Sequence, residues 1–131
     1  KDGVDVVTPD TIASNPERKA LFDDAIAAAV SAYEKLLDAG VPAEDARYLL
    51  PNAAESKIVI TMNVRELLHF FKLRCCNRAQ WEIRDMAHRM LELARPTAPF
   101  VFADAGAPCV SGTCPEGKMS CKNPYPRVKR S

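Results

Sequence analysis

The run ITMNVRELLHFFKLRCCNRAQWEIRDMAHR, Ile60 to Arg89, threads five arginines, two histidines, two adjacent cysteines and a tryptophan through two helical periods. Asn63 and Glu66 form the Asn-x-x-Glu pattern of a helix N-cap with a reciprocal carboxylate, just before Leu67 and Leu68. At about 100° per residue, Leu67, Leu68, Phe71 and Cys75 share one apolar face, while Arg65, His69 and Lys72 lie almost opposite. The pattern predicts a helix that buries one side and presents a cationic one. A second helix is expected over Ala79–Ala94, with Ala79, Ile83, Met86, Ala87, Met90, Leu93 and Ala94 on its apolar stripe. Trp81, Arg84 and His88 fall off that stripe, and Asp85 is one turn from Arg89.

Upstream, SKIVITM is β-branched at four consecutive positions, Ile58 to Thr61, and reads as a strand feeding the arginine-bearing helix. A further short strand is expected at Val4–Val7. SNPER opens a long helix, because Asn15 can cap orphan amides and Pro16 suits the first helical position. Phe22, Ile26, Ala29, Tyr33 and Leu36/Leu37 then recur at helical spacing, and Gly40 ends the run. VPAEDARYLL reads as a short helix closed by Pro51. From Pro96 onward the chain is rich in Pro, Gly and Cys and closes on basic YPRVKRS, so little regular structure is expected there. The fold class these elements predict is α+β and helix-rich, with residues 1–102 as the main body and 103–131 as a tail.

The 131 residues hold 18 basic and 17 acidic side chains, a net charge of +1, which argues against a nucleic-acid coat protein. No apolar run is long enough to span a membrane. Five cysteines, an odd count, lean toward a reducing and hence cytoplasmic setting. KDGVDVVTP reads like the middle of a longer chain.

No Gly-rich phosphate loop, no His-Glu-x-x-His and no isolated acid/base carboxylate pair is present. What remains is arginine: Arg47, Arg65, Arg74, Arg78 and Arg84, beside Asn63, His69 and Gln80. The guanidinium fork suits phosphate, and amides or imidazole can read a ring edge. Taken singly, each has a bland account as a surface pair or a cap. Arg65 and Arg74 lie about 180° apart on a straight helix, so they serve one pocket only if it is shared with a neighbouring subunit or the helix ends early. Cys75 belongs to the apolar face as a buried thiol, and Cys76 is assigned nothing. Cys109, Cys114 and Cys121 are candidates for a metal site. Their spacing is loose and supplies only three thiolates, so a disulfide and free thiols stay open beside it.

ARYLLP, TMNVRELLHFFKLR and AQWEIRDMA, in that order, resemble the C-terminal half of the flavin-dependent thymidylate synthases, also called thymidylate synthase complementing proteins. The resemblance runs from about Pro16 to Phe102. It implies a homotetramer that uses FAD and NADPH to methylate dUMP to dTMP, with methylenetetrahydrofolate as carbon donor and active sites assembled between subunits. On the matching positions, Asn63, Arg65 and His69 resemble the flavin-contacting set. Arg47 and Arg74 resemble the uridylate-contacting arginines, with Arg74 placed to stabilise charge on the pyrimidine. The family's R-H-R-x-x-S-x-N-E-x-S-x-R-Y stretch does not occur in these 131 residues. The chain is therefore expected to carry about half of such a site and to be inactive in isolation. The alternative is a non-catalytic nucleotide-binding or assembly module that keeps the fold. Neither a membrane nor a nucleic-acid partner is expected.

Overall fold

A computed structural model describes residues 4–126. Seven α-helices follow one another among them: α1 (Asp10–Ala13), α2 (Pro16–Asp38), α3 (Ala43–Ala46), α4 (Val64–Arg74), α5 (Trp81–Ala94), α6 (Pro99–Phe102) and α7 (Pro108–Ser111). Short 3-10 turns occupy Arg47–Leu49 and Gly117–Met119. The chain forms two compact units, 1–59 and 60–131.

In the first unit α2 starts where the sequence places it. The Asn15 side chain accepts from the Arg18 amide at 3.0 Å, and Pro16 opens the helix. Phe22, Ile26, Ala29, Tyr33, Leu36 and Leu37 are half-buried, as their spacing requires, and Ala46 of α3 is fully buried beneath the turn that follows. Gly40 stops the helix with φ at +82°, a conformation that costs a Cβ-bearing residue strain.

The expected α+β class is not what forms: the described residues are helical, with no strand among them. The only pairing near Val4–Val7 is one isolated antiparallel bridge, Val6 to Ala54, flanked by Val7 N–H to Ala53 O at 2.9 Å and Glu55 N–H to Asp5 O at 2.8 Å. The run from Ile58 to Thr61 lies outside any regular element, and Ile58, Val59 and Ile60 are 76, 97 and 57 % exposed. β-branched residues favour extended backbone, but a strand exists only where a neighbour completes its hydrogen bonds.

The second unit is built on α4 and α5. Asn63 caps α4 by accepting from the Glu66 amide at 3.0 Å, as the sequence predicts. Phe71 and Cys75 are fully buried and pack with Ala87, Leu91, Phe102, Ala105, Ala107 and Val110. Phe71 meets the Phe102 ring edge-on, centroids 6.1 Å apart, a favoured aromatic geometry. Residues beyond position 102 thus supply part of this core. The start of α5 falls at Trp81, where the Gln80 side-chain oxygen accepts from the Glu82 and Ile83 amides at 3.0 and 3.1 Å.

The buried face of α5 is rotated from the expected stripe. Leu91 is 3 % exposed, whereas Leu93 is 75 % and Met86 44 % exposed. Arg84 and His88 sit on the half-buried side because each finds a partner there. The Arg84 guanidinium donates to Asn77 O at 3.1 Å, and His88 Nε2 is 3.2 Å from the Tyr125 hydroxyl. Buried polar groups are tolerated where they are hydrogen-bonded.

Candidate functional site

α4 organises the charged surface of the second unit. Its cap spends the Asn63 side-chain oxygen on the helix and leaves the amide NH2 as a donor at the helix entrance. Arg65 and His69 follow at i and i+4 on one exposed face, one turn apart. Among the described residues neither side chain makes a hydrogen bond or ion pair, so their donors are available. The orphan amides and positive dipole end at this terminus favour an anion in the same place.

Arg74 closes the helix nine residues after Arg65, on the opposite side. It is exposed and unpaired among the described residues, and it lines a cavity of about 360 Å³. Lys72, Asn77, Arg78 and Tyr125 share that wall. Two of these neighbours are held by the segment after α7. Arg78 pairs with Glu116 at 2.5 Å, and the Asn77 amide donates to Asn123 O at 2.7 Å. The helix therefore presents Arg65 and His69 on one face and Arg74 on the other, with Asn63 at its entrance. Arg47 is exposed in the first unit, at the start of its 3-10 turn. Gln80 serves as a cap through its oxygen, a role its place immediately before a helical run makes legible.

Burial pushes the Cys75 thiol up to about 11, with the Arg95 charge opposing. A neutral thiol buried at the C-terminal cap of α4 is an inert packing group, as its place on the apolar face implies. Burial also raises Tyr125, with the Arg84 charge opposing. Its ring lies 5.3 Å from that of His88. This Tyr125–His88 contact, which fastens the closing segment to α5, has no sequence signal, being made across 37 residues.

Cys76, Cys109, Cys114 and Cys121 all border the Arg74 cavity, and all five cysteines are free thiols. As the side chains stand, no three His, Cys, Asp or Glu among the described residues converge closely enough to hold an ion. No helix among the described residues is long and apolar enough to cross a membrane. Arg127 to Ser131, the basic end of YPRVKRS, lie outside the described residues.

Among the described residues, α4 displays Arg65 and His69 on one face and Arg74 on the other, all unengaged, and cationic donors of this kind suit anions. Residues 1–100 match the family described as thymidylate synthase complementing protein, and the chain belongs to that family. It is 55 % identical over 120 residues to the flavin-dependent thymidylate synthase of Geobacter sulfurreducens, covering 92 % of this chain and 52 % of that protein. The enzyme of the same name from Nitratidesulfovibrio vulgaris is 50 % identical over 131 residues, covering 93 and 54 %. That from Pyrococcus abyssi is 41 % identical over 128 residues, covering 94 and 52 %. The chain spans about half the length of the curated relatives it matches.

Proposed function

We propose that this chain is the C-terminal part of a flavin-dependent thymidylate synthase, which methylates dUMP to dTMP with methylenetetrahydrofolate and NADPH. The observation that carries the reading is the match across residues 1–100, joined to the unengaged Arg65, His69 and Arg74 on α4. The residues present suit FAD: His69 shares an exposed face with Arg65 one turn away, and Asn63 offers its amide donor at the helix entrance, a place that favours phosphate. Bound FAD supplies the hydride chemistry, and the protein supplies position and field. Arg65 fixes negative charge on the cofactor, while Asn63 and His69 orient its polar edge.

Arg47 and Arg74 hold the uridylate. Arg74 faces the pyrimidine and stabilises the charge that builds on it as C5 becomes nucleophilic, a role that needs no protein nucleophile. Because Arg65 and Arg74 point to opposite sides of one helix, they serve different sites of a homotetramer, each site completed by a neighbouring subunit and by chain beyond these 131 residues. Apolar side chains left exposed within each unit, Leu21 and Tyr48 in the first and Leu93 and Phe100 in the second, are consistent with such contacts. The setting is cytoplasmic, where NADPH and the folate are supplied.

Release of tritium from [5-³H]dUMP by the full-length protein with FAD, NADPH and the folate tests the reading. Turnover by the full-length protein and background release by the 131-residue chain are expected. A full-length protein that binds dUMP and FAD but releases no tritium is instead a nucleotide-binding or assembly module.

A further inference from the structure

The cavity that Arg74 lines is shared between the end of α4 and chain past residue 100, where the family match ends. Pro115, Glu116, Pro124 and Tyr125 line it together with Leu73 and Arg74. Three contacts fasten this later segment. Glu116 pairs with Arg78 at 2.5 Å, the Asn77 amide donates to Asn123 O at 2.7 Å, and the Tyr125 hydroxyl lies 3.2 Å from His88 Nε2. Two of the three anchor on Asn77 and Arg78, in the short stretch between Arg74 and α5. The lining suits a nucleoside monophosphate. Leu73, the two prolines and the Tyr125 ring offer apolar surface to a flat base, and the volume of about 360 Å³ falls in the range of small-molecule sites. Among the described residues, Lys72, Arg74 and Arg78 face one lining carboxylate, Glu116, so an anion is favoured.

We propose that residues 112–125 form a wall of the uridylate site and that Glu116, acting through Arg78, positions that wall, an inference that rests on the reading of Arg74 as a uridylate-binding arginine. Charge alone argues against a carboxylate in such a cavity, because Glu116 repels a phosphate. What Glu116 supplies is a bond across 38 residues that holds the segment beside Arg74. It also occupies Arg78, so that Arg74 is the guanidinium left for the ligand. The two possible roles of Glu116 therefore differ in sign. Removing its charge tightens dUMP if it acts only through its field, and weakens dUMP if it holds the wall.

The test uses the full-length protein, with dUMP binding read by calorimetry and so independent of turnover. Glu116→Gln is expected to weaken dUMP about two- to fivefold, the range that an ion pair with half-exposed partners carries. The reversed pair, Arg78→Glu with Glu116→Arg, should return to within about twofold of wild type, because it rebuilds the bond at the same net charge. Alkylation of the unsubstituted protein by iodoacetamide, read peptide by peptide, locates the ligand without any variant. Cys76, just past α4, and Cys114, in the segment, are half-buried and border the cavity. At about ten times its Kd, dUMP should slow alkylation of both at least about threefold. Tighter or unchanged dUMP in Glu116→Gln, no recovery in the reversed pair, or a Cys114 rate untouched by bound dUMP each overturns the wall while dUMP binding itself stands. A full-length protein that binds no dUMP overturns the proposed function, and the wall with it.

Discussion

Replacing Arg74 by alanine separates a ligand-binding arginine from a structural one. Its guanidinium is exposed and makes no bond or ion pair among the described residues, so the fold loses little. What disappears is a cation at the C-terminal end of α4, worth about 0.3–1 kcal/mol through the helix dipole. In a protein of roughly twice this length that is a fall of no more than about 2–4 °C in Tm. An arginine facing developing charge is worth far more to the reaction, about 2–4 kcal/mol, or roughly thirtyfold to a thousandfold in kcat/KM. The assay is steady-state tritium release from [5-³H]dUMP by the full-length enzyme, beside a thermal melt. Arg74→Ala is expected to lower kcat/KM for dUMP at least about tenfold with the melt nearly unchanged. Arg74→Lys should recover little, because it restores charge without the planar fork. A melt lowered by many degrees with kcat/KM intact would refute the reasoning and make Arg74 a structural residue.

Asn63 has two roles that different substitutions separate. Asn63→Ala should cost about 1 kcal/mol by removing the cap, whereas Asn63→Asp keeps a cap acceptor, stays near wild-type in stability and loses the amide donor, so flavin affinity measured by fluorescence should fall in both. An Asn63→Asp protein with unaltered flavin affinity would leave Asn63 as a cap only. Cys75 sets an alkaline limit. Its thiol ionises near 9.0 in an unfolded chain and near 11 when buried, so the folded state binds more protons between those values. Stability from Cys75 is full below about pH 9 and is lost as pH rises toward 11, by at most roughly 2–3 kcal/mol. Denaturant titrations of wild type and Cys75→Ala should differ in slope only in that alkaline window, and parallel curves there would contradict the burial account.

Local chemistry made much of this legible from sequence. Asn15 and Asn63 cap where the pattern says, Phe22 to Leu37 half-bury the face their spacing dictates, and Phe71 and Cys75 enter the core. What failed depended on partners outside the element being read. The run Ile58–Thr61 has strand composition, but composition does not provide the neighbour a strand must pair with. The face of α5 was misread because arginine and histidine count as surface residues until Asn77 and Tyr125 are in place to bond them. Cys76 carried no local signal, because what distinguishes it is the cavity it shares with thiols more than thirty residues away. For the candidate site, the residue types and their angular separation on α4 were readable, since both follow from helical periodicity.

The central claim, that the two faces of α4 serve different active sites, is tested most directly by subunit complementation. Full-length Arg65→Ala and Arg74→Ala proteins, each nearly inactive, are unfolded, mixed in equal amounts and refolded together. If a site takes Arg65 from one subunit and Arg74 from its neighbour, each mixed pair contains one site with both arginines intact. Tritium release should then return to about a quarter of wild type under random pairing. A mixed preparation that matches the average of its two inactive parents would place both arginines in one subunit's site and contradict the account.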